Sequence, residues 1–253
     1  MVLALFDAGV GVALTAALAI AAVGSGALTR WAGAIAFLFG AVIVVIGGFP
    51  FLALLVLFVV ASVLATRFRF AEKKRRNVHE GTSGERGVSN VVAHILIPTG
   101  LVLTAGASTS LLPPGALAVL YTSALAFGAA DTFASEFGVL AGRARSILTF
   151  RPVEPGTNGG VSAIGELWAL AGALTTSIVA VALFAAFAAP HLAPAAFLIV
   201  APIGGFLGCQ IDSVLGETLE NRGRLTKGST NFFGMLSAVA IAAALLLVFG
   251  MWR

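Results

Sequence analysis

Eight apolar stretches, each about long enough to cross a lipid bilayer, follow one another along the chain with only short polar connections. A membrane-spanning helix needs roughly 20 mainly apolar residues, because hydrocarbon offers no partner to unpaired backbone groups. The stretches cover residues 3–23, 31–47, 50–66, 88–111, 115–140, 163–188, 193–219 and 232–252. The 31–66 block reads as two helices, since Gly47-Gly48-Phe49-Pro50 interrupts it. Of the 253 residues, 59% are hydrophobic and only 10% charged, more apolar surface than one soluble core could bury. The expected fold is all-α: a polytopic membrane helix bundle with about eight transmembrane helices and a rough internal parallel repeat. It forms a single integral membrane domain over 1–253, with three N-terminal spans in 1–66 and a repeat-containing catalytic part in 67–253.

Several classes are excluded at once. One cysteine, Cys209, leaves no internal disulfide, and His79, His94 and His191 are too scattered for a zinc site. The first span lacks a basic leader, which disfavours a cleaved signal peptide. A pI near 10 would suggest nucleic acid in a soluble chain, but here it follows from basic loops, and no nucleic-acid partner is expected.

The basic residues test the span count. Arg30, seven residues within Arg67–Arg86, then Arg143, Arg145, Arg151, Arg222, Arg224 and Lys227 all fall on one side of an eight-span chain. Only Arg253 falls on the other. The positive-inside rule makes the basic side cytoplasmic, with both termini on the trans side. The trans connections Gly47–Pro50, Leu112–Gly115 and Pro190–Pro194 are short and nearly uncharged, so the active face is expected to be cytoplasmic.

Two loops on that face resemble each other. Glu80-Gly81-Thr82-Ser83-Gly84-Glu85-Arg86-Gly87-Val88-Ser89 parallels Glu154-Pro155-Gly156-Thr157-Asn158-Gly159-Gly160-Val161-Ser162. Each precedes a two-helix hairpin that returns with an acidic signature, Asp131-Thr132-Phe133-Ala134-Ser135-Glu136 in the first and Asp212-Ser213-Val214-Leu215-Gly216-Glu217 in the second. A third partial loop, Gly228-Ser229-Thr230-Asn231-Phe232, opens the last span. A parallel repeat of this kind gathers two loops and two acidic helix ends around one site.

Counted from the helix ends, Asp131 and Asp212 lie roughly 13–15 Å inside the bilayer. An aspartate there costs on the order of 2.5–3.5 kcal/mol, so neither is expected to face lipid. Carboxylates at that depth suit Mg²⁺, which takes one or two of them together with phosphate oxygens. The candidate ligands are Asp131, Glu136, Asp212, Glu217 and Glu220; hydrogen-bonded structural acids are the plainer alternative. Gly156, Thr157, Asn158, Gly159 and Gly160, ahead of a helix, present backbone N–H groups suited to phosphate, as do Gly81, Thr82, Ser83 and Gly84. An ordinary turn with an N-cap would produce the same pattern, and no Walker sequence is present. Lys74, Arg75 and Arg76 form the strongest cationic run, explained by topology and anionic lipid or by contact with phosphates. Arg151 stands just before the second loop.

The strings Ala130-Asp131-Thr132-Phe133-Ala134-Ser135-Glu136-Phe137-Gly138, Pro155–Ser162, Asp212–Glu220 and Thr230-Asn231-Phe232, in that order, resemble one integral membrane family. It includes plant phytyl-phosphate kinase and animal transmembrane protein 19, and the likeness covers roughly residues 70–250. The resemblance implies phosphoryl transfer from a nucleoside triphosphate, CTP among the donors, to a prenyl monophosphate, with Mg²⁺ as cofactor. It places the Asp131, Asn158 and Asp212 regions at the site, and our reading adds Arg151 as a phosphate contact and Asn231 beside the nucleotide. Residues 80–87 depart from the Arg/Asn-Gly-Gly segment of the family, so the second loop carries more of the expectation than the first. A polyprenol kinase, a cytidylyltransferase making a CDP-lipid, and a transporter are the rival readings.

Overall fold

The computed structural model describes residues 2–79, 81–187 and 193–252; Glu80, His191, most of the Pro190–Pro194 connection and Arg253 lie outside them. Among the described residues, nine α-helices follow one another: α1 (Val2–Gly24), α2 (Arg30–Ile46), α3 (Phe49–Arg67), α4 (Phe70–Arg75), α5 (Val88–Ala107), α6 (Pro114–Gly138), α7 (Ala163–Ala186), α8 (Ala201–Leu215) and α9 (Lys227–Val248). A π-helical turn precedes α8 (Ala196–Val200) and another extends it (Gly216–Glu220). Among the described residues, seven helices are long and apolar enough to span a membrane; α2, the second expected span, is apolar but has 17 residues. Thr29, which accepts the Ala32 N–H, starts it, and Gly47-Gly48 stops it, Gly48 standing at φ +91°.

The axis of the bundle is α6, packed by α3, α5, α7, α8 and α9. Its sequence is rich in Ala, Gly, Ser and Thr, and small residues let neighbouring backbones approach, which is how helices associate where lipid gives no hydrophobic drive. On α8, a Cβ at Gly205 would lie 2.8 Å from the Phe127 nitrogen of α6. On α7, one at Gly172 would lie 2.8 Å from the Ala129 carbonyl oxygen. Away from the basic loops, Tyr121 Oη donates to the Phe51 carbonyl at 2.9 Å and closes the core.

The basic loops meet at one end of the bundle. The main chain of Arg86 pairs with Ala27 and Thr29 between α1 and α2, Arg76 reaches the end of α6, and Asn158 bonds the end of α8. Two details differ from the sequence reading. A small antiparallel sheet, β1 (Ala144–Ser146) between β2 (Pro152–Val153) and β3 (Gly160–Val161), shapes the second loop. The last span starts at Lys227 rather than 232, because Thr226 and Ser229 cap each other's backbone N–H, so Gly228–Asn231 is the first turn of a helix and not a loop.

Candidate functional site

Late α6, the second Gly-rich loop, the head of α7, the end of α8 and the head of α9 surround a polar cavity of about 350 Å³. Asp131 lies seven residues before Gly138 and Asp212 eight before Glu220, roughly 10–12 Å inside their helices and a little shallower than expected. Both line the cavity. Asn231 Nδ2 approaches Asp131 Oδ2 at 3.4 Å, while Asp212 Oδ1 is buried and, among the described residues, has no hydrogen-bond partner. A buried carboxylate oxygen left without a donor beside a second carboxylate is costly unless a cation completes it.

The second loop stands against these acids. Its turn bonds run from Thr157 N to Glu154 O and from Gly160 N to Thr157 O, leaving the Gly156, Asn158 and Gly159 amides outside them. Asn158 Nδ2 donates to Glu220 Oε1 at 3.0 Å, and Asn221 Nδ2 returns to the Asn158 carbonyl at 3.1 Å. Gly159 has φ +79°, and a Cβ there would lie 2.4 Å from Glu217 Cβ and 2.9 Å from the Ser213 carbonyl. No other residue fits this close approach. Gly159→Ala is therefore expected to destabilise the protein by about 1–3 kcal/mol more than Gly142→Ala. Gly142 also has positive φ, with nothing within 4 Å of an added Cβ. Thermal midpoints of the two variants in detergent measure the difference.

The other residues named from the sequence divide. Glu136 lines the cavity but is held by Lys73, whose fully buried ammonium lies 2.6 Å from Glu136 Oε2 and also donates to the carbonyls of Ala65 and Thr66. Glu217 faces away: the π turn at Gly216–Glu220 keeps Gly216 and Glu220 on the cavity wall and sends Glu217 to the Ser146 hydroxyl, 2.6 Å, and the Leu148 N–H. Among the described residues no three His, Cys, Asp or Glu side chains converge on one point.

Gly81, Thr82, Ser83 and Gly84 are not on the cavity wall. Glu85 occupies their amides, accepting from Thr82 N at 3.1 Å and Ser83 N at 2.6 Å. Its own backbone N–H together with those of Ser83 and Thr82 holds the Glu85 carboxyl below its ordinary range, so the loop already cradles an anion. The loop docks on the α1–α2 turn, and among the described residues ahead of it Asn77, Val78 and His79 reach the cavity.

Of the cationic run, Lys74 and Arg75 are exposed and off the cavity wall. Arg76 pairs with Glu72 and donates to the Val139 carbonyl at the rim. Arg151 lies exposed in the β1–β2 turn, off the cavity wall. Lys227 and Glu166 do line the cavity, Glu166 accepting from Gln210 Nε2 at 2.8 Å. The sequence held a signal for Lys227, which stands four residues before Asn231 and shares its helix face once α9 is known to begin there.

The fold and cavity define a multi-pass helical membrane protein with its polar chemistry gathered at the end bearing the basic loops. The chain belongs to the family described as Integral membrane protein DUF92, whose sequence profile matches residues 13–242. This bears out the resemblance seen in the motifs. Among its relatives, Uncharacterized membrane protein MJ0933 of Methanocaldococcus jannaschii is 30% identical over 192 residues, 75% of this chain and 73% of that one. Protein PGR of Arabidopsis thaliana is 32% identical over 191 residues, 70% of this chain and 66% of the plant protein. Uncharacterized membrane protein sll0875 of Synechocystis is 29% identical over 234 residues, 87% and 85% of the two chains. No solved structure matches the chain.

Proposed function

We propose that this protein is a membrane kinase that transfers a phosphoryl group from a nucleoside triphosphate, CTP among the donors, to a prenyl monophosphate, giving the prenyl diphosphate. The observation that carries the reading is the pair Asp131 and Asp212 lining one cavity with the Gly156, Asn158 and Gly159 amides that the turn bonds leave over, one Asp212 oxygen having no hydrogen-bond partner among the described residues. The family resemblance supplies the substrate class.

Phosphoryl transfer asks mainly for positioning and for neutralisation of charge. Asp131 and Asp212 would hold Mg²⁺, whose chemistry here is to neutralise the phosphate oxygens, while Glu220 holds Asn158 in place. The hard oxygen donors of the wall fit that ion. The loop amides and Asn158 orient the donor phosphates, and Lys227 adds positive charge at the head of α9. The bond from the γ-phosphorus to the bridging oxygen breaks, the nucleoside diphosphate leaves, and the acceptor phosphate oxygen forms the new bond. Because the acceptor is already an anion, no strong general base is needed. The positive-inside rule puts the basic end, and so the reaction, in the cytoplasm, with the termini on the trans side.

Purified protein in detergent, given Mg²⁺, CTP and a C15–C20 prenyl monophosphate, is expected to yield a diphosphate by mass, and EDTA is expected to stop it. A nucleotide-linked lipid would reassign the chain as a cytidylyltransferase. Phosphorylation of a free polyprenol would make it a polyprenol kinase. No product with any nucleotide, from folded protein, would sink the kinase and favour transport.

A further inference from the structure

A second, apolar cleft of about 410 Å³ lies between α1, α2, α3 and α5. Along α3 its lining extends from Leu52 to Arg67, roughly 22 Å at 1.5 Å per residue, long enough to lie along an extended hydrocarbon chain. Its walls are mainly apolar, with Thr15, Phe58 and His94 among them, and Arg67, Arg86 and Asn90 border it toward the basic end. Arg86 is buried, donating to Asn90 Oδ1 at 2.9 Å and Thr66 Oγ1 at 3.1 Å. Between the arginines and the apolar wall lies Ser62, 1% exposed, whose hydroxyl has no hydrogen-bond partner among the described residues.

An apolar slot ending in two guanidinium groups and an unpartnered hydroxyl matches a single-chain amphiphile with an anionic head. The head-group end also adjoins the acidic cavity. Thr66, which lines neither space, links the two through hydrogen bonds: its hydroxyl accepts from Arg86, and its carbonyl accepts from Lys73 at 2.7 Å, whose ammonium holds the cavity-lining Glu136.

We infer that this cleft seats the isoprenoid chain of the prenyl phosphate acceptor, with Arg67 and Arg86 at the head-group end, an inference that rests on the kinase reading above. The three N-terminal spans are then the part of the protein that measures chain length, and α6–α9 the part that handles phosphate.

Two measurements test it. A C20 prenyl phosphate bearing a terminal diazirine, photolysed on the wild-type protein and mapped by mass, is expected to label α1, α2 or α3 within the cleft. Unlabelled prenyl phosphate should suppress that labelling, while palmitate and diacyl phosphatidate should not. Separately, Ala19→Phe and Ala36→Phe, which fill the cleft, are expected to lower the C20-to-C10 ratio of kcat/KM at least tenfold. Leu38→Phe, on the exposed side of α2, should leave the ratio unchanged. Labelling confined to α6–α9, an unaltered ratio in both cleft variants, or equal competition by palmitate or phosphatidate would overturn the assignment. If the wild-type protein turns over no prenyl phosphate, the kinase reading fails, and the labelling alone then decides the cleft.

Discussion

Asp212→Asn is expected to lower prenyl-phosphate kinase activity by about 10²–10³-fold or more while leaving the protein as stable as the parent or more so. The substitution keeps the shape of the side chain and removes one negative charge from a wall that already holds Asp131. If Asp212 served the fold, the amide would break a contact and lower the thermal midpoint. The Asp212 oxygen that lacks a donor among the described residues indicates the opposite, since a buried carboxylate oxygen without a hydrogen bond, beside the like charge of Asp131, is a cost that the amide reduces. The readouts are Mg²⁺-dependent diphosphate formation and the thermal midpoint of the apo protein in EDTA. Activity within tenfold of the parent would remove Asp212 from the metal assignment. Lost activity together with a lower midpoint would make it a structural acid.

The largest effect on stability is expected at Lys73. Lys73→Met leaves Glu136 buried against α3 and α4 with its ammonium gone, and breaking a buried pair from one side costs about 3–5 kcal/mol. The double variant Lys73→Met with Glu136→Leu should recover most of that loss, because two apolar side chains of similar volume replace the pair. Lys74→Met, one residue away and exposed, should change the midpoint little. Equal midpoints for Lys73→Met and Lys74→Met would refute the role of the pair. The pair also explains why a short helix of charged residues follows α3. Lys73 pins α4 to the bundle, and α4 in turn presents Asn77, Val78 and His79 to the cavity.

The cavity separates the carboxylates that the sequence could not tell apart. Asp131, Asp212, Glu220 and Glu136 all line it, but Glu136 is neutralised by a lysine, and Glu217 is turned toward the β1 loop. The two Gly-rich loops, so alike as strings, differ for a similar reason. Glu85, three residues after Thr82, folds back onto its own loop, and nothing in 156–160 does the same. The two aspartates stand at similar depths in α6 and α8, while the two loops that precede the hairpins differ in structure.

What the sequence by itself determined is what depends on local composition and on solvent. Runs of about twenty apolar residues make helices because lipid leaves backbone groups no other partner, and glycine and proline mark where they break. Two aspartates inside such runs must face one another or a cavity, because facing lipid is too costly. Only the tertiary structure decided which carboxylate meets which cation, because Lys73 and Glu136 stand far apart in sequence and pair only after α3, α4 and α6 pack. The same holds for the apolar cleft, a space between α1, α2, α3 and α5 that no single helix encodes. Hydropathy is a property of each segment alone, whereas a site is made of the differences between surfaces that packing brings together.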